Sequence, residues 1–174
     1  VFRSYSKSPK HVSGLFDGTI HLPIRFEGNP ARLKAILYHE YTHALLWLAS
    51  EGKCPSWVHE GFAVDQEESV DALRTIDVGR IVSGDRLLWP LGQLDMRMAP
   101  NAEDPMSNEL AYQEAYGVVR FLRSQHKPAQ LLKWIKLMGR SPSWEAAARN
   151  VLGTDAGQLE LDTARFLAEK GGGR

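Results

Sequence analysis

The sequence predicts an α+β fold, with a small sheet at the N-terminal side, a long helix after it and a helical C-terminal half. Residues 20–26 alternate apolar and polar side chains, as half-buried strands do. Residues 31–51 contain neither Gly nor Pro, which favours an unbroken helix. Apolar side chains recur at helical spacing through much of the chain after residue 108. We expect one domain over residues 1–170 and a frayed tail at 171–174.

The first 28 residues are predicted to contain strands. The runs 12–16 and 19–26 flank Asp17-Gly18, a strong signal for a two-residue hairpin turn. One face of the second run is apolar and would pack on the core. Pro23 cannot donate a hydrogen bond to a central ladder, so this run is predicted to be an edge strand.

A long helix is predicted to follow the strands. Asn29 is a suitable N-cap, Pro30 suits the first helical position, and Gly52 follows the last helical residue. Apolar side chains lie on most sides of this helix, so we expect it to be largely buried.

This helix contains the pattern His-Glu-x-x-His between His39 and His43. Residues four apart on a helix project about 40° from each other and lie about 6 Å apart along the axis, so both imidazoles can bind one metal ion. Glu40 would then face the open position of the metal, where a carboxylate can take a proton from bound water. Two imidazoles and a carboxylate are costly to bury without a metal, which favours a zinc site over ordinary surface residues.

Zinc needs a third protein ligand, and the next predicted helix offers two candidates. This helix would start at or just after Pro55, and it contains His59 and Glu60. The adjacent Gly61 would let the two helices approach closely, on the face that Glu60 shares, which favours Glu60. The two predicted zinc-binding helices together cover residues 29–65.

These motifs resemble those of the gluzincin metallopeptidases, and among them the peptidase MA-like domains of bacteria. The matching segments are residues 36–43 and residues 55–63, the second in the family style P-x-W-x-x-E-G-x-A. The resemblance implies a zincin-like fold and peptide-bond hydrolysis with Glu40 as general base. It also implies zinc bound by His39, His43 and Glu60.

One position departs from the thermolysin branch of that family. That branch places an Asp four residues after the third ligand to hold a zinc histidine, whereas this chain has Val64 there, followed by Asp65. A metal-bound His normally donates its other ring nitrogen to an acceptor, and the sequence leaves that acceptor unassigned. Glu67 is predicted to lie on a solvated surface.

Residues 66–108 are predicted to be mostly irregular, because Gly and Pro interrupt them repeatedly. A short helix is predicted around Leu91 to Met98. The segment would form either a wall or lid over the cleft, or a passive connector.

Residues 109–170 form the predicted helical half, with helices at 108–125, 130–138, 143–151 and 158–170. Tyr112 and Tyr116 are four residues apart and share a face of the first of these helices. Either phenol can be read as a core residue or as a donor to the oxyanion formed during peptide hydrolysis. Resemblance to an Ala-Tyr pattern of the family nominates Tyr112 as that donor.

Composition limits the partners and says little about the compartment. The net charge is zero, which gives no basic surface for nucleic acid or for an anionic membrane. No apolar run is long enough to cross a bilayer, and the single Cys54 cannot form an internal disulfide. The chain opens at Val1 without an initiator Met, so we expect a processed chain or an excised domain. Only the family resemblance favours export.

The sequence therefore predicts a zinc-dependent peptidase whose substrate is a peptide or protein. An edge strand at 19–26 can accept an extended substrate by strand addition, although a hairpin that merely covers the helix fits the residues equally well. The alternative function is a catalytically inactive zincin-like module that binds peptides or proteins. An intact Glu40 favours catalysis, because a purely structural metal site needs no base. The sequence leaves the oligomeric state open.

Overall fold

The computed structural model of the protein describes residues 15–16, 19–21, 29–68, 76–98 and 105–171. These residues are mostly helical, with two short antiparallel strand pairs, an arrangement compatible with the α+β class. Within them, every helix is too short or too polar to cross a bilayer.

The strand pairs are short and lie apart in the sequence. Strand β1 (Leu15–Phe16) pairs with β2 (Ile20–His21), and β3 (Val82–Ser83) pairs with β4 (Arg86–Leu87). The described helices are α1 (Pro30–Ala49), α2 (Ser56–Glu68), α3 (Val78–Ile81), α4 (Leu91–Arg97), α5 (Pro105–Gln125), α6 (Pro128–Met138), α7 (Trp144–Val151) and α8 (Ala156–Gly171).

An N-terminal hairpin is confirmed over the described residues, but Phe16 pairs with Ile20, so three residues separate the paired positions instead of the predicted two. Leu15 lies opposite His21 and Phe16 opposite Ile20, and both strands contact α1. The predicted turn at Asp17-Gly18 and the rest of the predicted edge strand, 22–26, lie outside the described residues.

Helix α1 begins as predicted. The Asn29 side chain accepts a hydrogen bond from the Arg32 backbone N–H at 3.0 Å, and Pro30 occupies the first turn. After the helix, Glu51 and Gly52 both have positive φ, and the Gly52 N–H donates to the Trp47 carbonyl. The chain therefore leaves the helix through two left-handed residues, Glu51 and Gly52, the second of a type that favours this region.

The expectation that α1 is buried on most sides is wrong. One face is buried, but Leu37, Tyr41, Leu45 and Leu48 are all exposed, and Leu48 keeps 66% of its surface. Helix α2 packs along one side of α1, so burial is confined to that side. The sequence of α1 shows no amphipathic pattern, because both its buried side and its exposed side carry apolar side chains.

Helix α2 approaches α5 closely at Gly61. A Cβ added to Gly61 would lie 2.6 Å from the Ala115 carbonyl oxygen and 2.7 Å from Val119 Cγ2. Gly61 thus provides the predicted close approach, but toward α5 and not toward α1. Trp57 lies one turn earlier on α2 and is fully buried.

A tryptophan cluster joins α2 to the helical half. The Trp57 ring lies 6.3 Å from that of Trp134 on α6 and 5.2 Å from that of Trp144 on α7, between ring centres. The Asp95 carboxylate of α4 accepts a hydrogen bond from the Trp57 backbone N–H at 3.0 Å. The first turn of α2 is therefore fixed by α4, α6 and α7 together.

The described part of the segment 66–108 contains more secondary structure than predicted. It contains the end of α2, then α3, the β3–β4 pair, α4 and the start of α5. The short helix predicted around Leu91 to Met98 is confirmed as α4. The four predicted helices of the C-terminal half are confirmed as α5 to α8.

A buried carboxyl group lies between α5 and the segment before α4. Glu114 is fully buried, its Oε2 accepts a hydrogen bond from the Trp89 backbone N–H at 3.3 Å, and its Oε1 has no hydrogen-bond partner. Burial and the nearby charge of Glu160 raise the pKa of Glu114 to about 8, against the effect of the Trp89 and Leu88 backbone hydrogen bonds. Glu160 accepts from the Leu91 backbone N–H at 2.8 Å.

Gly61→Ala should destabilise the protein, because the new methyl group meets the α5 backbone. We expect the free energy of unfolding to fall by about 1–3 kcal/mol in urea titrations. Gly92→Ala on α4 is the matched control, since its added Cβ has no neighbour within 4 Å. That variant should match or slightly exceed wild-type stability. A Gly61→Ala protein as stable as wild type would contradict the close packing of α2 on α5.

Glu114→Gln should change how stability depends on pH. The raised pKa means that the folded state keeps a proton which the unfolded state releases, so wild-type stability is full below about pH 4.5 and falls as the pH rises through about 8. A neutral Gln does not titrate, so the stability of the variant does not fall in this way. Between pH 5 and pH 9 its free energy of unfolding should rise relative to that of wild type by roughly 2–4 kcal/mol. Urea unfolding at several pH values measures the difference. The exposed Glu169, changed to Gln, should show no such gain.

Candidate metal centre

The candidate centre lies where α1 and α2 pack against each other. Arg32, near the start of α1, meets Glu67, near the end of α2, whereas His43, farther along α1, meets Glu60, farther back on α2. The two helices therefore run in opposite directions along this contact. His39 lies between these two levels and contacts both carboxylates.

Three of the predicted ligands come together. His39 Nε2 lies 3.6 Å from Glu60 Oε2, and His43 Nε2 lies 3.7 Å from Glu60 Oε1. One ligand atom from each of the three residues lies within 4.8 Å of the others, and among the described residues this is the group that can hold a metal ion.

Two of these distances are close to those of a zinc site. Donors bound at 2.0–2.2 Å around a tetrahedral zinc lie roughly 3.3–3.6 Å apart. Each His Nε2 is near that separation from a different oxygen of Glu60, and one ligand atom from each of the three residues lies within 4.8 Å of the others. Two imidazole nitrogens and one carboxylate oxygen form a set used by catalytic zinc sites, in which a fourth position stays open. The three side chains are partly buried, so that solvent and small ligands can reach them.

His59, the other candidate for the third ligand, lies beside the group without joining it. Its ring centre is 5.6 Å from that of His43, with the two rings tilted by 41°. The choice of Glu60 over His59 therefore agrees with the geometry of the metal-free protein.

Glu67 provides an acceptor for His39 that the sequence left unassigned. Its Oε2 lies 3.2 Å from His39 Nδ1, an ion-pair distance without the alignment of a good hydrogen bond. Its Oε1 accepts a hydrogen bond from Arg32 at 2.6 Å. The prediction of a solvated Glu67 is wrong, since only 5% of the residue is exposed. Its spacing of seven from Glu60, two turns on one helix face, was the available signal.

The metal-free centre holds a proton on His39. Burial would lower the pKa of His39, but contacts with Glu60 and Glu67 and their negative charges outweigh burial and raise it to about 9. Burial lowers the pKa of His43 to about 4, against the charge of Glu60. Zinc binds neutral imidazole, so a metal ion would displace the His39 proton.

Glu40 lies beside the same charges. Burial, together with the charges of Glu60 and Glu67, raises the pKa of its carboxyl to about 7, against the charge of His39. Only 5% of the residue is exposed. A cation bound by the neighbouring ligands would favour the ionised carboxylate.

Tyr112 lies on α5, partly buried, and packs against the hydrophobic core. Tyr116 is almost fully buried and its hydroxyl accepts a hydrogen bond from Arg120 at 3.4 Å. The assignment of Tyr112 as a donor to the reacting group stays a prediction.

The chain matches no protein-family model, no curated protein and no solved structure. A function for the protein therefore has to follow from the geometry and chemistry of these side chains.

Glu60→Gln should weaken zinc binding far more than His59→Gln. Removing the carboxylate leaves two imidazole ligands, and we expect the zinc dissociation constant to rise by more than roughly 100-fold, since loss of a partner outside the ligand set already costs 10–100-fold. Competition with a chromophoric chelator measures the constant. His59→Gln should bind zinc nearly as tightly as wild type. Equal losses in the two variants would contradict the assignment of Glu60.

Proposed function

We propose that the protein is a zinc-dependent peptidase of the gluzincin type. The proposal rests on one observation. The side chains of His39, His43 and Glu60 lie together between two helices as one donor group, and Glu40 is buried beside it. An HExxH pattern occurs by chance in unrelated chains, but a chance pattern has no reason to meet a third donor at zinc spacing.

The zinc ligands and Glu40 would have separate roles in the reaction. Zinc held by His39, His43 and Glu60 would supply Lewis acidity, which lowers the pKa of a water molecule and polarises the scissile carbonyl. Glu40 takes a proton from the attacking water as the new carbon–oxygen bond forms. It then passes that proton to the leaving amine as the carbon–nitrogen bond breaks, and ends the cycle ionised as it began.

Other parts of the chain would bind the substrate. Tyr112 would donate a hydrogen bond to the carbonyl oxygen as that oxygen becomes negative. A peptide substrate in extended form would pair along the strand predicted at 19–26, of which residues 19–21 are described and adjoin α1.

A second candidate function is a binding module without catalysis, in which the zincin-like domain docks peptides or proteins. The exposed apolar face of α1 favours it, since large apolar patches on a protein surface mark interaction sites. The buried carboxyl of Glu40 beside the donor group favours the peptidase, because a site that only binds has no need of a base.

Glu40→Gln should separate the two functions. The amide cannot accept a proton from water, so we expect peptide cleavage to fall by about 10²–10⁴-fold while one zinc per chain is retained. A peptide library cleaved by the zinc-loaded protein measures turnover, and elemental analysis measures the metal. The surface variant Glu169→Gln should keep wild-type activity. Zinc-loaded wild type that cleaves no peptide in the library, yet retains some of them, would favour the binding module.

A further inference from the structure

One buried carboxylate connects the metal centre to the start of α1. Only 7% of the Glu67 side chain is exposed, and its two oxygens have different partners: Oε1 contacts Arg32 Nη1 at 2.6 Å and Oε2 faces His39 Nδ1 at 3.2 Å. The Arg32 side chain is more accessible, with 31% exposed. These contacts form a continuous path from Arg32 through Glu67 to His39.

The spacing of these residues is the same on both helices. Arg32 precedes His39 by seven residues on α1, and Glu67 follows Glu60 by seven residues on α2. Seven residues are about two helical turns, so each pair lies on one face. Since the helices are antiparallel, the Arg32–Glu67 contact and the His39–Glu60 contact form adjacent levels of one interface.

Arg32 controls which way the Glu67 carboxylate faces. A buried carboxylate needs compensation by charge or hydrogen bonds, and the short contact with a guanidinium supplies both. That contact takes Oε1, and Oε2 is left toward the imidazole. Without Arg32, nothing on α1 would hold Oε1, the carboxylate could turn away from the imidazole, and His39 would lose its acceptor.

We infer that Arg32 is a positioning residue for the metal centre, acting through Glu67 on the ring orientation of His39. The inference rests on the proposed zinc site. The His39 ring must present Nε2 toward the ligand group, and a fixed acceptor at Nδ1 determines both the ring orientation and which nitrogen carries the proton. An acceptor held by a charged partner also makes the imidazole a stronger ligand.

A purely structural ion pair would behave differently. A second ion pair involves α2, the helix that carries Glu67. Arg123 of α5 pairs with Asp65 of α2, and 9% of the Asp65 side chain is exposed. This pair also joins α2 to another helix through a buried carboxylate, but neither of its members contacts a candidate ligand in the described residues. Arg123 is therefore a matched control for Arg32.

The test measures zinc affinity and the visible spectrum of the cobalt-substituted protein, both on the full chain. Arg32→Met should raise the zinc dissociation constant by about 10–100-fold and shift the cobalt absorption bands, since a freed His39 ring changes the ligand field. Glu67→Gln should do the same, and the double variant should lose little more, because both act through one contact. Arg32→Lys keeps a cation and should recover part of the affinity.

Arg123→Met should leave both the zinc dissociation constant and the cobalt spectrum at wild-type values, even where it lowers the melting temperature of the metal-free protein. The positioning role is overturned if Arg32→Met binds zinc as wild type does, or if Arg123→Met loses as much affinity. Wild type that binds no zinc overturns the proposed function and this inference together. Wild type that binds zinc but cleaves no peptide overturns the peptidase alone, and the affinity comparison still decides the role of Arg32.

Discussion

The packing of α1 against α2 places polar and ionisable side chains in a partly buried contact between two helices, and the rest of the centre depends on how their charges are balanced. Burying imidazoles and carboxylates is costly unless each finds a partner. In the metal-free protein the partners are one another, with a proton on His39 between Glu60 and Glu67. A divalent cation would replace that proton with a larger charge, in the same group of donors.

The position of α2 is set by the helical half of the chain. Gly61 allows the α2 backbone to contact the α5 backbone at Ala115, and Asp95 of α4 accepts from the first turn of α2. The tryptophan cluster fills the space between α2, α6 and α7. Glu60 lies between these contacts on the same helix, so the carboxylate that completes the donor group is held by packing far from the histidines in sequence.

What could be predicted from the sequence is mostly local. The start of α1 follows from Asn29 and Pro30, and the pairing of His39 with His43 follows from helical spacing, since both depend on residues close along the chain. The position of Glu60 depends on how a second helix packs on α1, and its neighbour Gly61 signalled a close approach that the structure places at α5 and not at α1.

The sequence was less informative where burial depends on the partner of a helix. Glu67 is a residue type usually found on the surface, yet in the fold it is buried and contacts Arg32 from another helix. The apolar residues of α1 predicted burial all round, yet half of the helix surface stays exposed because α2 packs on one side. Apart from the spacing of seven between Glu60 and Glu67, the local pattern has no signature of either fact, because it reports side-chain chemistry but not what lies opposite.

Helix α1 has a buried face and an exposed face, and this bears on the choice between the two candidate functions of the protein. His39 and His43 face α2, whereas Tyr41 and Leu48 lie roughly 160–180° around the helix from His39 and Leu45 lies about 120° from it, all on the exposed side. A partner bound to that exposed face would therefore leave the donor group open to solvent and substrate. Binding of a partner and hydrolysis of a peptide would use opposite sides of one helix, so evidence for partner binding would not count against hydrolysis. Only the chemistry of Glu40 and the metal ligands decides whether the protein is a peptidase.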